Sequence, residues 1–374
     1  MGIDFKDPKS LYEQIENDIK SKIASGKLNV GDQINSQSQL SKEYDVSLIT
    51  VKKALSNLIN EGVLFSRIGK GTYVARKSKT LDFSKNKSIG LVLRDLRHPF
   101  FSLIVHSVEE KAYELGYNIL LSNSSGRLEK EESQIKHFEN IGVEGLIIAS
   151  MSLVYRATDN IIKLHKRKFP YVMVSYMEDP FIYYVGTDNE NGAYLATEHL
   201  IKLGYKNIGY VNGGKGNLLG LLRMKGYEKA LRAHKIKVNK KLIYTLDLLR
   251  DRFKSGYELG KNFKDLNPPP DALFFYSDLA ALGFQQGIIL SGLKVPDDIA
   301  VVGFDDIEMA KYAPSPLTTV QQDTNKIGAL AIESVINRIN GIKTPVRLIL
   351  EPKLQIRSSC GVMLKMNKNK ALAS

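Results

Sequence analysis

Residues 45–74 read DVSLITVKKALSNLINEGVLFSRIGKGTYV. Ser47 can cap a helix there, because its hydroxyl can accept a bond from a free first-turn N–H. Val51, Ala54, Leu55 and Leu58 then share one face. Ile49, Thr50, Lys52, Lys53, Ser56 and Asn57 fall around the opposite arc. Glu61-Gly62 ends the helix, and two short strands are expected on either side of Ile68-Gly69-Lys70-Gly71. Upstream, Leu11, Ile15, Ile19 and Ile23 stand four apart and predict a helix over residues 10–25, stopped by Gly26. Residues 37–44 predict a second, short helix. Three helices followed by a glycine-punctuated hairpin make a winged helix-turn-helix, expected over residues 1–76.

Downstream the texture changes. Residues 77–87, ending the stretch RKSKTLDFSKNK, read as a polar, basic linker with little apolar periodicity. From residue 88 to 361, apolar runs such as IGLVL, NILLS, GLIIA, YVMVS, NIGYV, ALFFY and IAVVGF alternate with helix-length segments. Continuous apolar strands separated by helices indicate parallel sheets covered on both faces. So long a run suits two α/β lobes rather than one sheet. Residues 362–374 form a basic tail.

Hydrophobic content of 43% and charged content of 25% are ordinary for a soluble globular protein. No stretch approaches the roughly 18 apolar residues that a membrane span needs, and the polar start MGIDFKDPKS does not resemble a secretory signal. The single cysteine, Cys360, excludes an internal disulfide and any Cys-based zinc cluster. A reducing cytoplasm is the economical location. The net charge of +13 fits an anionic partner such as nucleic acid. Residues 1–87 carry fifteen Lys and Arg against ten Asp and Glu, so the excess is spread along the chain and charge alone assigns no function.

The first segment resembles the GntR family of bacterial repressors over residues 8–76. The resemblance rests on PKSLYEQIENDIKSKIASGKL and on GDQINSQSQLSKEYDVSLITVKKALSNLINEGVLFSRIGKGTYV. It implies that the Ser47 end of the third helix enters the major groove of an operator, where base edges are distinguishable. The DNA-binding residues it implies are Ser36, Ser47, Leu48, Ile49, Thr50, Lys52, Lys53, Arg67, Gly69, Lys70 and Gly71. Among them Lys52, Lys53, Arg67 and Lys70 would contact phosphates, which position a protein without reading sequence. The chain departs from the family at two places, with Ser38 and Leu48 where arginine is usual. Those departures remove the commonest reader of guanine.

The remainder is similar to the LacI/GalR effector domain, itself periplasmic-binding-protein-like. The blocks carrying this likeness are IGLVLRDLRHPFFSLIVHSVEEKAYELGYNILLSNS, VGTDNENGAYLATEHLIKLGYKNIGYV, LRMKGYEKAL and SDLAALGFQQGIILSGLKVPDDIAVVGFDDIEMAKYAPSPLTTVQQD. It implies a cleft between two lobes that takes a small-molecule effector. Phe100 and Phe101 would wall that cleft, while Arg223, Asp305, Gln322 and Ser277 would meet the ligand. An arginine fork beside a carboxylate suits vicinal hydroxyls, since one donates where the other accepts. Phe100 or Phe101 can equally be core, and Asp305 can equally cap a helix.

Enzyme chemistry finds little footing. GGKGNLLG at 213–220 lacks the Lys-Ser/Thr ending of a phosphate-binding loop. Histidines 98, 106, 137, 165, 199 and 234 show no paired metal-ligand spacing. No catalytic residue, metal or cofactor is expected. The expected protein is therefore an α/β chain with a winged helix-turn-helix head and a two-lobed sensor. Such a protein would be a homodimeric repressor of sugar-utilisation genes, bound to double-stranded operator DNA and tuned by a monosaccharide. A purine effector is the alternative with the same architecture, and an α/β enzyme carrying a DNA-binding appendage is a distant third. The residues do not name the effector or the operator, nor whether ligand releases or recruits the protein.

Overall fold

The computed structural model describes residues 9–67, 71–75, 87–150, 156–214, 217–246 and 251–364. The chain divides into two compact units, residues 1–82 and 83–374.

In the first unit, helices α1 (Leu11–Ala24), α2 (Gln37–Tyr44) and α3 (Leu48–Asn60) precede strands β1 (Leu64–Arg67) and β2 (Gly71–Val74). Ile15, Ile19, Leu40, Tyr44, Val51, Ala54, Leu55, Leu58, Leu64 and Val74 close a small core. The apolar stripes meet there as their helical spacing requires. Ser36 and Gln39 form a reciprocal capping box at the start of α2, and the Ser47 hydroxyl accepts the Thr50 N–H at 3.2 Å at the start of α3. Asp45, at φ 52°, makes the turn between them. The two strands pair antiparallel from Leu64↔Val74 to Arg67↔Gly71. Residues 68–70, the expected wing tip with Gly69 and Lys70, lie outside the described residues. Asn57 differs from its expected place on the free arc of α3, since its Nδ2 donates to Glu16 Oε1 at 2.7 Å and ties α3 to α1.

The second unit holds two six-stranded sheets. The first contains β3 (Ser88–Leu93), β4 (Asn118–Asn123), β5 (Gly145–Ile148), β6 (Tyr171–Met173), β7 (Tyr184–Thr187) and β13 (Arg347–Leu350), all parallel, in the order β13-β7-β6-β5-β3-β4. Its helices are α4 (Pro99–Glu114), α5 (Leu128–Asn140), α6 (Asp159–Lys166) and α11 (Thr324–Ile339). The second contains β8 (Ile208–Asn212), β9 (Ile243–Thr245), β10 (Ala272–Phe275), β11 (Ala300–Asp305), β12 (Thr318–Gln321) and β14 (Lys353–Gln355). Their order is β14-β12-β11-β10-β8-β9, with only β14 antiparallel to its neighbour. Helices α7 (Asn189–Lys202), α8 (Leu218–Ala233), α9 (Arg252–Lys261) and α10 (Asp278–Leu290) pack on it. Each sheet with its helices is one lobe.

The chain passes between the lobes three times, after β7, after β12 and between β13 and β14. Helix α9 lies unusually close to α10. A Cβ added at Gly256, Gly260, Gly283 or Gly287 would fall on main-chain atoms of the other helix, so only glycine permits this approach. No helix among the described residues is long and apolar enough to cross a membrane.

Candidate functional site

Two sets of side chains stand out, one in each unit. In the first unit the start of α3 is bare. Leu48 is 52% exposed and Ile49 81%, with Lys52 and Lys53 exposed beside them. Leu48 therefore does not pack at the edge of the buried stripe. Ser36 and Ser47 are exposed caps whose side-chain oxygens face inward to the first-turn N–H groups. Thr50 is half-buried and shares a hydrogen bond of 2.8 Å with Ser47. On the wing, the Arg67 guanidinium lies 5.5 Å from the Phe65 ring and 5.6 Å from the Tyr73 ring, which stack on each other. Those aromatic faces hold the charge at the surface. Gly71, at φ 109°, takes a backbone conformation that a side chain would strain.

In the second unit, Arg223, Asp305 and Gln322 come together at the carboxyl ends of the second lobe's strands. That is where open α/β sheets bind ligands. Arg223 is buried on α8, and each of its three nitrogens has a neighbour. Nε donates to Asn189 Oδ1 at 3.0 Å, Nη1 donates to the Tyr276 carbonyl, and Nη2 stands 3.6 Å from Asp305 Oδ1. The guanidinium also lies 3.5 Å from the centre of the Phe304 ring. Gln322 Nε2 donates to the same Asp305 oxygen at 2.7 Å. Asp305 Oδ2 takes no hydrogen bond among the described residues.

Burial pushes the Asp305 carboxyl above the usual carboxylate range, with the Arg223 charge pulling the other way. Asp278 is raised too, by burial and then by the nearby Asp305 charge, although Thr319 and the Ile307 N–H donate to it. Asp305 and Asp306 follow each other at φ 125° and 54°. Such strain persists only where surroundings fix it. Here Gln322 holds the first carboxylate and Arg357 the second, at 2.6 Å. Asp305 caps no helix, so its alternative role disappears. Ser277 opens α10 without capping it, and its buried hydroxyl makes no hydrogen bond among the described residues.

Phe100 and Phe101 sit on the other lobe, at the start of α4. Phe101 is buried and belongs to that lobe's core, while Phe100 is half-buried beside it, their ring centres 5.3 Å apart. His98 caps α4 by accepting the Phe100 N–H at 3.3 Å. Burial pushes its imidazole down to about 3, and the charges of Arg252, Arg94 and Arg223 push the same way. Arg223 and Arg252 belong to the second lobe, so their charges act on a histidine of the first.

Sequence reasoning missed Asn189, Tyr276 and Phe304. Asn189 is the first residue of α7, one after the cap Asp188, and this strand-to-helix junction was the available signal. It matters because Asn189 lies on the first interlobe crossing and Gln322 on the second. The cluster is thus attached to two of the three segments about which the lobes can turn.

Comparison with known proteins agrees with this two-part fold. Residues 11–74 match the gntR family of bacterial regulatory proteins, and residues 197–360 match a periplasmic binding protein-like domain. The chain is 30% identical over 361 residues to the arabinose metabolism transcriptional repressor of Halalkalibacterium halodurans, covering 93% of this chain and 96% of that protein. It is also 30% identical over 285 residues to the HTH-type transcriptional repressor PurR of Photobacterium profundum, covering 75% and 84%. A LacI family transcriptional regulator from Enterococcus faecium, solved with bound ribose, superposes with a TM-score of 0.64 at 26% identity, covering 73% of this chain and 98% of that one. With matches that run through head and body alike, the chain belongs to the family of transcriptional repressors in which a gntR-type DNA-binding head precedes a periplasmic-binding-protein-like sensor.

Proposed function

We propose that this protein represses sugar-utilisation genes as a homodimer, and that a monosaccharide entering the interlobe cleft weakens its hold on operator DNA. The observation that carries this reading is the Arg223–Asp305–Gln322 cluster at the cleft. Arg223 is anchored by Asn189 and the Tyr276 carbonyl, and its charge stands beside Asp305. Asp305 Oδ2 and Gln322 Oε1 are then left to meet sugar hydroxyls, with Phe100 as an apolar wall and Ser277 as a further partner. Because Asn189 and Gln322 lie on interlobe crossings, a ligand bound there biases the angle between lobes. That bias changes operator affinity only by the ligand's preference for one lobe arrangement over the other. The protein would act in the cytoplasm, where its operator is.

A sugar is favoured over a purine because the arabinose-repressor match extends through both head and body, whereas the PurR match covers only three quarters of the chain. A thermal-shift panel of pentoses, hexoses and purine bases tests this, since a specific ligand raises the melting temperature by mass action. A rise with one sugar class supports the reading, and a rise with purines alone replaces it.

The same reading assigns Ser36, Ser47, Leu48, Ile49, Thr50, Lys52, Lys53, Arg67, Gly69, Lys70 and Gly71 to the operator. Lys53→Ala should weaken binding to all duplexes alike and make the salt dependence shallower by about one unit, as one phosphate contact is lost. An unchanged salt slope in fluorescence anisotropy removes Lys53 from the interface.

A further inference from the structure

Ile49 is the most exposed large apolar side chain among the described residues, at 81%, and Leu48 beside it is 52% exposed. A single exposed apolar residue is ordinary. Two adjacent ones at the start of a helix whose buried stripe is complete without them are harder to account for by folding. Val51, Ala54, Leu55 and Leu58 fill the core, and neither Leu48 nor Ile49 touches it. Their neighbours are cationic: Lys52 and Lys53 are exposed on the same arc, and α3 has no acidic residue.

The polar groups nearby are also committed. Ser47 caps the helix, Thr50 is bonded to Ser47, and Gln39 is held in the capping box of α2. Neither α2 nor the first two turns of α3 contain an arginine or an asparagine, and the exposed Gln37, whose amide can grip adenine with two hydrogen bonds, belongs to the start of α2 and not to α3. What the start of α3 offers a major groove is therefore an apolar contact flanked by positive charge. The major-groove feature that matches such a contact is the C5-methyl group of thymine.

We propose that Leu48 and Ile49 are specificity-determining residues that read thymine methyl groups, so that each half-site carries thymines under the start of α3. The proposal rests on the assignment of α3 to the operator and deepens it. The lysines supply affinity on any duplex, and the two aliphatic side chains supply the preference.

The test leaves the protein unchanged and edits the DNA. Duplexes retained by the full-length protein from a random pool define the preferred site, and each thymine in it is then replaced by deoxyuridine, which lacks only the methyl group. Expected is a loss of about fourfold at one or two positions per half-site, the effect of about one buried methyl group. In Ile49→Ala, whose fold is safe because the side chain is exposed, the penalty at one of those positions should vanish while the salt slope stays unchanged. Uracil tolerated within about 1.5-fold everywhere, on a site the protein binds selectively, overturns this proposal alone. A penalty that persists in both Ile49→Ala and Leu48→Ala also overturns it. Failure to retain any duplex overturns it together with the operator reading.

Discussion

Replacing Arg223 with alanine is expected to destabilise the second unit by about 3–5 kcal/mol, as for breaking a buried ion pair from one side. The guanidinium is 5% exposed and the Asp305 side chain 7%, so solvent cannot take over its role. The variant strands Asn189 Oδ1, the Tyr276 carbonyl and the Asp305 carboxylate together. The loss should depend on pH. Burial already raises the Asp305 pKa above the ordinary 3.8, and Arg223 opposes that rise. Without Arg223 it climbs further. A carboxyl group whose folded pKa lies above its unfolded value gives stability that is full below the unfolded pKa and is lost as pH rises through the folded one. The gap between wild type and variant is therefore widest near neutral pH and narrows on acidification towards pH 4. Denaturant titrations across that range read it directly. A gap under about 1 kcal/mol that does not change with pH means Arg223 does not hold this carboxylate.

The second large effect concerns the glycine-lined contact of α9 and α10. Gly283→Leu should cost about 3 kcal/mol or more, the upper part of the range for overpacked sites. A Cβ at Gly283 would meet the Phe253 carbonyl oxygen and the Tyr257 nitrogen, which are backbone atoms that cannot turn aside. Helix α9 must then move off α10 as a body and take Arg252 at its first turn with it. A urea midpoint that shifts by less than about 1 kcal/mol in free energy shows that the two helices part easily.

Much of this architecture can be read from residues alone, and the exceptions have physical reasons. The seven apolar runs each contain a strand, because a parallel strand covered on both faces is continuously hydrophobic, although β4 lies at the sheet edge and is only partly covered. Strand β12 escapes that rule: its sequence TTVQ looks like a loop, yet Thr318 and Thr319 are fully buried. Their hydroxyls are satisfied by the Arg357 carbonyl and by Asp278, contacts supplied by distant parts of the chain. Strands β7, β9, β13 and β14 are short or carry polar residues, and tertiary pairing overrides their weak local pattern.

The glycines at 256, 260, 283 and 287 were visible in pairs four apart, which is the spacing of one helix face. Their meaning appears only once α9 lies against α10. In the cleft, Arg223, Asp305 and Gln322 were identifiable through a resemblance. Their mutual bonding, and the holding role of Phe304, required the fold, because a phenylalanine carries no local mark of such a role, and for Asn189 the strand-to-helix junction was the one local sign.

A sugar in the cleft and an operator on the head are expected to oppose each other through one protein. The most direct measurement is fluorescence anisotropy of a labelled operator titrated with full-length protein, with and without the sugar that raises its melting temperature. Calorimetric titration of that sugar in the presence and absence of operator completes the cycle. Saturating sugar should weaken operator binding by about tenfold or more, and operator should weaken sugar binding by the same factor, as linkage demands. Asp305→Ala should abolish both changes while its operator affinity without sugar stays at the wild-type value. Equal operator affinity with the cleft empty and filled would contradict the claim.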